Sequence, residues 1–251
     1  MEIENLENLT MFISDDKLFY TLEGEGKYVG MPSVFLRLSM CNLTCKGFAS
    51  PESPHGCDSF VSWSVKNKMT FKEIDQYMLD NGFIERLKAG AILKLTGGEP
   101  FLQEKKLLKF ISYFELKNGF IPKIDFETNG TLVPSDEWLD LGATFTVSPK
   151  LSSNGDPEKK RYNLDALKWH KNSNRSSFKF VVQSEDDIDE IVEKYINKLF
   201  LDNKDIWFMP CCGSREEHTE KATKVAEWAK QWNVNFSPRL HLVLWNKALK
   251  V

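Results

Sequence analysis

Along most of this 251-residue chain, apolar runs of strand length alternate with amphipathic segments of helix length. No other feature constrains the fold as strongly. PSVFLRLS (32–39), AILKLT (91–96), PKIDFET (122–128), ATFTVS (143–148), SSFKFVVQ (176–183) and DIWFMP (205–210) read as strands. The segments between them read as helices. Residues 69–82 open on a Thr70/Glu73 capping box and carry Phe71, Ile74 and Met78 on one face. Residues 103–119 place Leu107, Leu108, Ile111 and Phe114 inward and end at glycine. A helix near 185–199 buries Ile188, Ile191, Val192, Tyr195 and Leu199. Another starts at a Ser214/Glu217 box and carries Val225, Trp228, Ala229 and Trp232. Such alternation implies a mainly parallel sheet with right-handed crossovers. About six units suit an open or incomplete βα barrel. A doubly wound open sheet fits the same pattern, and periodicity does not separate the two.

Both architectures gather ligands at the C-terminal ends of the parallel strands, and that is where the polar motifs fall. LRLS leads into Met40-Cys41, LKLT into Gly97-Gly98-Glu99-Pro100, IDFE into Thr128-Asn129-Gly130, and FTVS into Pro149-Lys150. FKFVV is followed by Gln183, and WFMP by Cys211-Cys212-Gly213. Taken singly, GG, NG and SP are common turn or cap signals. At consecutive strand ends they make a site.

Composition narrows the function classes. A net charge of −3 gives no electrostatic case for nucleic acid as the main partner. No run of about 18 apolar residues suggests a bilayer span. The N-terminus, MEIENLENLT, is acidic and lacks the regions of a signal peptide, so a cytoplasmic protein is expected. In that compartment clustered cysteines bind metal or do redox chemistry more often than they form disulfides. Cys41, Cys45 and Cys57 fall within 17 residues of a chain holding five cysteines. Buried free thiols are one reading, but the intervening loop is polar and rich in Pro, Ser and Gly. Structural zinc is another, with His55 completing a Cys3His set, although only one pair has zinc-like spacing. The third is an iron–sulfur cluster held by three thiolates instead of the usual four, leaving one iron open.

The segments FYTLEGEGKYVGMPSVFLRLSMCNLTC (19–45), CDS (57–59), LTGGEP (95–100), FETNG (126–130), SPK (148–150), FKFVV (178–182), FMP (208–210) and FSPRLHLVLW (236–245) occur in one order. In that order they resemble the 7-carboxy-7-deazaguanine synthase family of radical S-adenosylmethionine enzymes. There are departures. Eleven residues separate Cys45 from Cys57 where the superfamily commonly has two, Glu23 stands where glutamine is usual, and Ser59 replaces threonine. Cys211-Cys212 and the tail NKALKV also lie outside the family pattern.

The resemblance implies an α/β fold: a partial (β/α)6-type radical SAM barrel with a mainly parallel sheet. It implies one domain over 1–251 with an insertion at 46–56 in the cluster loop. It implies a [4Fe–4S] cluster on Cys41, Cys45 and Cys57, and S-adenosylmethionine held by Gly97, Gly98, Glu99, Thr128, Asn129, Ser148, Lys150 and Gln183. The implied substrate is 6-carboxy-5,6,7,8-tetrahydropterin. Recognition of this flat ring needs an acid for its guanidine-like edge and a base for its carboxylate. Glu25 and Arg37 match those needs, and Leu22, Gly24, Thr96 and His241 carry over as further substrate residues. Arg37 also admits a plain salt-bridge reading at the strand end. A magnesium ion is expected at Ser59, whose hydroxyl stands in for the family's threonine. The resemblance further implies queuosine-type 7-deazapurine biosynthesis, a homodimer, and an electron donor such as flavodoxin or ferredoxin.

Two rivals compete. A glycyl-radical activating enzyme shares the core but acts on protein, and LEGEG and SPRLH argue against it. A zinc-binding interaction module leaves the strand-end motifs unexplained. Cys211 and Cys212, adjacent and so poorly placed to chelate one ion, read as packing residues. His55, His170 and His218 are expected in solvated segments.

Overall fold

The computed structural model describes residues 3–46 and 56–246. His55, most of the 46–56 insertion and the end of the NKALKV tail therefore lie outside the described residues. Among the described residues nine strands form one sheet: β1 (Thr10–Leu22), β2 (Pro32–Leu38), β3 (Asn67–Thr70), β4 (Ile92–Gly97), β5 (Lys123–Thr128), β6 (Thr144–Val147), β7 (Ser176–Val182), β8 (Ile206–Pro210) and β9 (Asn235–Phe236). Their order is β3-β1-β2-β4-β5-β6-β7-β8-β9. β1 runs antiparallel to β2 and β3, and every other pairing is parallel.

This order answers the question periodicity leaves open. From β2 onward each new parallel strand joins on the same side, and the order never reverses. Right-handed crossovers then place the connecting helices on one face, with no switch point between two wound halves. The doubly wound alternative falls. The sheet is not closed, because β3 and β9 stand at its two edges.

The two faces differ as a single helical layer requires. Val34, Leu36, Leu93, Leu95, Phe126, Phe145, Val147, Phe178, Phe180 and Phe208 point into one core with the helices. The alternate positions carry Arg37, Lys94, Thr96, Asp125, Glu127, Thr146 and Lys179. Lys94 and Asp125 are nonetheless only 1% exposed, so this second face is a polar interior, not a surface.

The capping box of Phe71–Asp80 is complete: Thr70 Oγ1 accepts from Glu73 N at 3.1 Å and Glu73 Oε2 accepts from Thr70 N at 2.7 Å. Glu104–Asn118 ends at Gly119, whose φ of 79° is the left-handed cap expected of glycine. At Ser214 the box is only half made. Its hydroxyl accepts from Glu217 N, but the Glu217 carboxylate takes the Gly213 N–H instead. The helix expected at 185–199 is α over Glu185–Ile191 and widens to a π-helix over Val192–Asn197.

β1 is missing from the sequence reading. A register shift between Ile13 and Leu18 breaks its two-residue alternation, so no uninterrupted apolar run marks it. The expectation for two histidines is also corrected. His170 is fully buried among the rings of Phe101, Phe145 and Trp169, and His218 is 8% exposed. Each lies on the inward stripe of an amphipathic helix, His170 beside Ala166 and Leu167, His218 one helical repeat from Val225. Burial lowers the His170 pKa to about 3, so its ring is neutral. Among the described residues no helix is long and apolar enough to cross a membrane.

Candidate functional site

The polar face of the sheet opens into a cavity of about 660 Å³, within the range of small-molecule sites. All the residues proposed from sequence as thiol ligands, cofactor contacts or substrate contacts line it, except Glu99. Glu99 is fully buried behind the wall, because its carboxylate turns inward to three donors: Thr128 Oγ1 at 2.8 Å, Asn129 N at 2.8 Å and Phe101 N at 3.2 Å. It thereby shapes two lining residues at the end of β5. Burial raises its carboxyl to about 7 against the pull of those three donors.

The upper wall is built at the strand ends. Gly97 has φ 127°, and a Cβ there would overlap the backbone of Leu38. A Cβ on Gly98 would overlap the carbonyl of Met40. Only glycines allow the β4 turn to approach the end of β2 this closely. Glu99 N donates to Met40 O at 2.8 Å, and Met40 itself adopts φ 76°, a strained conformation for a non-glycine residue directly before Cys41.

The thiol-bearing loop is docked on neighbouring turns. Thr44 N and Oγ1 donate to the Asp156 carboxylate at 3.0 and 2.8 Å, and Lys46 N donates to Asn154 O at 2.8 Å. Asn129 Nδ2 donates to Asn42 Oδ1 at 2.9 Å, and Asn42 Nδ2 donates to Thr131 Oγ1 at 2.8 Å. Gly56, with φ 83°, packs on the Cys45 carbonyl and Lys46 so tightly that a Cβ would overlap both. The two flanks of the segment 47–55 therefore meet, and Cys57 lines the same cavity as Cys41 and Cys45, near enough to Cys45 to interact with it electrostatically. Several N–H groups point at the sulfurs: Leu43 N at 3.5 Å and Asn129 Nδ2 at 3.9 Å from Cys41 Sγ, and Trp63 Nε1 at 3.4 Å from Cys57 Sγ. Burial pushes the Cys41 thiol up to about 11 and raises that of Cys45.

The lower wall comes from the connector between β1 and β2. It joins the N-terminal end of β2, so it lies at the opposite end of the parallel strands from the thiols. It crosses the polar face: Tyr28 OH donates to Thr144 Oγ1 at 3.1 Å, and Gly26 N donates to Ser237 Oγ at 2.7 Å. Glu23 is anchored by Lys94 at 2.7 Å, and Lys94 reaches Asp125 at the same distance. Glu25 projects from this connector between two cations. Lys179 Nζ pairs with its Oε2 at 2.5 Å and Arg239 Nε with its Oε1 at 2.8 Å. Burial alone would raise the Glu25 carboxyl, but these cations hold it well below the ordinary value, so it is an acceptor-only carboxylate at neutral pH. Lys179 also pairs with Glu127 at 2.6 Å, and the same balance sets Glu127 at about 2. Gly24 has no Cβ because the His241 ring occupies that space.

Arg37 Nη2 donates to Ser59 Oγ at 3.0 Å, and Ser59 Oγ donates to Asp58 Oδ1 at 3.2 Å. Residues 57–59 thus join the thiols above to the charged groups below. Cys211 and Cys212 are buried as expected, yet they also line the cavity. Sequence reasoning missed Lys94, Glu127, Lys179 and Arg239. Charged residues within apolar runs (Lys94 in AILKLT, Lys179 in SSFKFVVQ) were the available signal, since a charge in a buried strand must face a partner.

Among the described residues no three His, Cys, Asp or Glu converge on a single metal ion. The sulfurs holding a four-iron cluster bridge a wider body than the ligands of one ion, and three thiols facing one cavity with N–H donors around them fit such a body.

Comparison with known proteins agrees with this geometry. Residues 22–135 match the model of a 4Fe-4S single cluster domain. A crystal structure of QueE from Escherichia coli shares the fold with a TM-score of 0.65, at 22% identity, covering 96% of this chain and 99% of the other. The 7-carboxy-7-deazaguanine synthase of Aquifex aeolicus is 32% identical over 91% of this chain and 92% of its own length. That of Halobacterium salinarum is 30% identical over 93% and 90%, and that of Pyrobaculum aerophilum 29% over 92% and 94%. With relatives matched at this identity over nearly their full length, the chain belongs to the 7-carboxy-7-deazaguanine synthase family.

Proposed function

We propose that this protein converts 6-carboxy-5,6,7,8-tetrahydropterin to 7-carboxy-7-deazaguanine with loss of ammonia, as a radical S-adenosylmethionine lyase on a partial (β/α)6-type barrel in a single domain. One observation carries the reading. Three thiols at one end of a buried polar face look across a single cavity at an ionised Glu25 held between two cations.

When bound, the [4Fe–4S] cluster supplies the electron that cleaves S-adenosylmethionine and so starts the radical reaction. Cys41, Cys45 and Cys57 would hold three of its irons, and the missing fourth cysteine leaves one iron for the cofactor's amino and carboxylate groups. The backbone of Gly97 and Gly98 would accept the remaining N–H groups of that methionyl amine, with Glu99 behind it. Thr128, Asn129, Ser148, Lys150 and Gln183 would take its carboxylate and ribose. Lys150 Nζ already donates to Ser148 Oγ at 3.0 Å, so these two act as one unit.

Glu25 accepts N–H groups from the guanidine-like edge of the pterin, and Arg37 pairs with its carboxylate. Leu22, Gly24, Thr96 and His241 complete the pocket. The contact between Arg37 and Ser59 supports magnesium at Ser59, since ion and substrate carboxylate would then be neighbours. A homodimer served by a flavodoxin or ferredoxin in the cytoplasm, within queuosine-type biosynthesis, completes the reading.

The test is anaerobic incubation of cluster-loaded protein with the tetrahydropterin, S-adenosylmethionine, magnesium and a reductant, followed by mass spectrometry. The deazapurine is expected, with S-adenosylmethionine not consumed in step, because conversion to the deazapurine and ammonia is redox-neutral. Its absence from a fully loaded enzyme overturns the proposal.

A further inference from the structure

Arg239 immediately precedes the helix Leu240–Trp245, and its side chain is 8% exposed. Each of its three nitrogens is taken by a different segment. Nε donates to Glu25 Oε1 at 2.8 Å, Nη2 donates to Asp58 Oδ2 at 2.7 Å, and Nη1 donates to the Cys212 carbonyl. These partners lie 214, 181 and 27 residues away in sequence. One is the connector that carries the substrate-facing carboxylate. Another adjoins the cluster ligand Cys57. The third is the turn after β8.

The contact to Asp58 extends further. Its other oxygen accepts from Ser59 Oγ, and Ser59 in turn accepts from Arg37. A rigid, planar guanidinium can hold three such directions at once, which a lysine ammonium on a flexible stem cannot do with the same geometry. Without the cation, the largely buried carboxylate of Glu25 and the partly exposed carboxylate of Asp58 face each other with no positive charge between them.

We infer that Arg239 is a positioning residue: it locks the loop carrying Cys57 to the carboxylate of Glu25, so that cluster ligation and substrate binding share one register. The inference rests on the substrate reading above for Glu25, and on the thiol assignment for Cys57. Arg239 donates to three protein groups, Glu25, Asp58 and the Cys212 carbonyl, and is assigned its role through them.

The experiment uses reconstituted, cluster-loaded protein with three variants, Arg239→Gln, Arg239→Lys and Asp58→Asn, and the double variant Arg239→Gln/Asp58→Asn. Four quantities are read: the rate of iron release to a ferrous chelator, KM and kcat for the tetrahydropterin, and the thermal midpoint of the cluster-free protein. Arg239→Gln is expected to speed iron release about fivefold and to raise KM about tenfold, with a smaller change in kcat. Arg239→Lys falls between it and wild type. Asp58→Asn speeds iron release to a similar extent, and the double variant releases iron no faster than Arg239→Gln alone, because both changes cut one link. Iron release by Arg239→Gln within twofold of wild type overturns the inference. So do effects that multiply in the double variant in step with a falling thermal midpoint, which is the pattern of general destabilisation. If Arg239→Gln does not fold, Asp58→Asn decides alone by the same twofold limit. If wild type makes no deazapurine, the substrate reading fails while the iron-release arm still stands or falls by itself.

Discussion

Replacing Lys94 with methionine separates the fold's needs from those of catalysis. Lys94 is 2% exposed at its side chain and bridges Glu23 and Asp125 at 2.7 Å each, with those carboxylates 5% and 1% exposed. Methionine fills most of the volume but leaves two buried carboxylates without their cation. Removing one member of a buried ion pair costs about 3–5 kcal/mol. The low end applies, because Asp125 keeps the Thr144 and Thr146 hydroxyls at 2.7 and 3.0 Å and Glu23 keeps the Glu25 N–H at 3.1 Å. A loss of about 3 kcal/mol in a chain of this size lowers the thermal midpoint by about 10 °C. Burial already pushes the Glu23 carboxyl up against the pull of Lys94. Without the cation it takes a proton more readily, so the gap to wild type is widest near pH 8 and narrows toward pH 5. Adding Glu23→Gln to the variant recovers about 1 kcal/mol by removing one of the stranded charges. Thermal unfolding of cluster-free protein followed by circular dichroism measures all three. A midpoint within about 2 °C of wild type, or a gap independent of pH, would refute the reasoning.

Three further outcomes are expected. Glu25→Gln lowers formation of the deazapurine by about 10²-fold or more, through lost charge-assisted contacts, while 5′-deoxyadenosine formation falls far less; equal losses would count against a substrate role. Gly98→Ala forces Met40 and Cys41 apart from the β4 turn, so iron per chain after reconstitution drops; full loading would show that the turn tolerates a Cβ. Glu99, raised to about 7, gives stability that is complete below its unfolded pKa near 4.5 and lost as pH rises through 7. Between pH 5 and 8 cluster-free wild type should therefore lose about 2.5 kcal/mol relative to Glu99→Gln, and parallel pH profiles would exclude this.

Strand–helix alternation made the parallel sheet legible, and the strand-end motifs marked the upper wall of the cavity. β1 was not legible, because its bulge interrupts the period on which strand recognition depends. The lower wall was legible only in part. Glu25 and Arg37 stand in recognisable motifs, but their partners Lys179 and Arg239 are 154 and 214 residues from Glu25. Nothing local in FKFVV or SPRLH says which buried cation meets which acid, since that depends on strand order and on where the connector crosses the sheet. The burial of His170 was missed for a related reason: a histidine on an apolar stripe looks like any solvated one until the stripe is docked. The choice between barrel-type and doubly wound winding likewise lies in strand order, which hydrophobic periodicity does not carry.

The meeting of Gly56 with Cys45 has an evolutionary consequence. Because the flanks of residues 47–55 touch, the distance between the second and third thiols is set by that contact and not by the number of residues between them. Loop-closure entropy grows slowly, by about 0.6 kcal/mol per doubling of length. Insertions and deletions at this one place are then nearly neutral for the thiols, so the interval between these two cysteines can drift among relatives while their geometry is inherited unchanged. A motif search that fixes the spacing at two residues would pass over this chain, whereas one anchored on the glycine before the third cysteine would retain it.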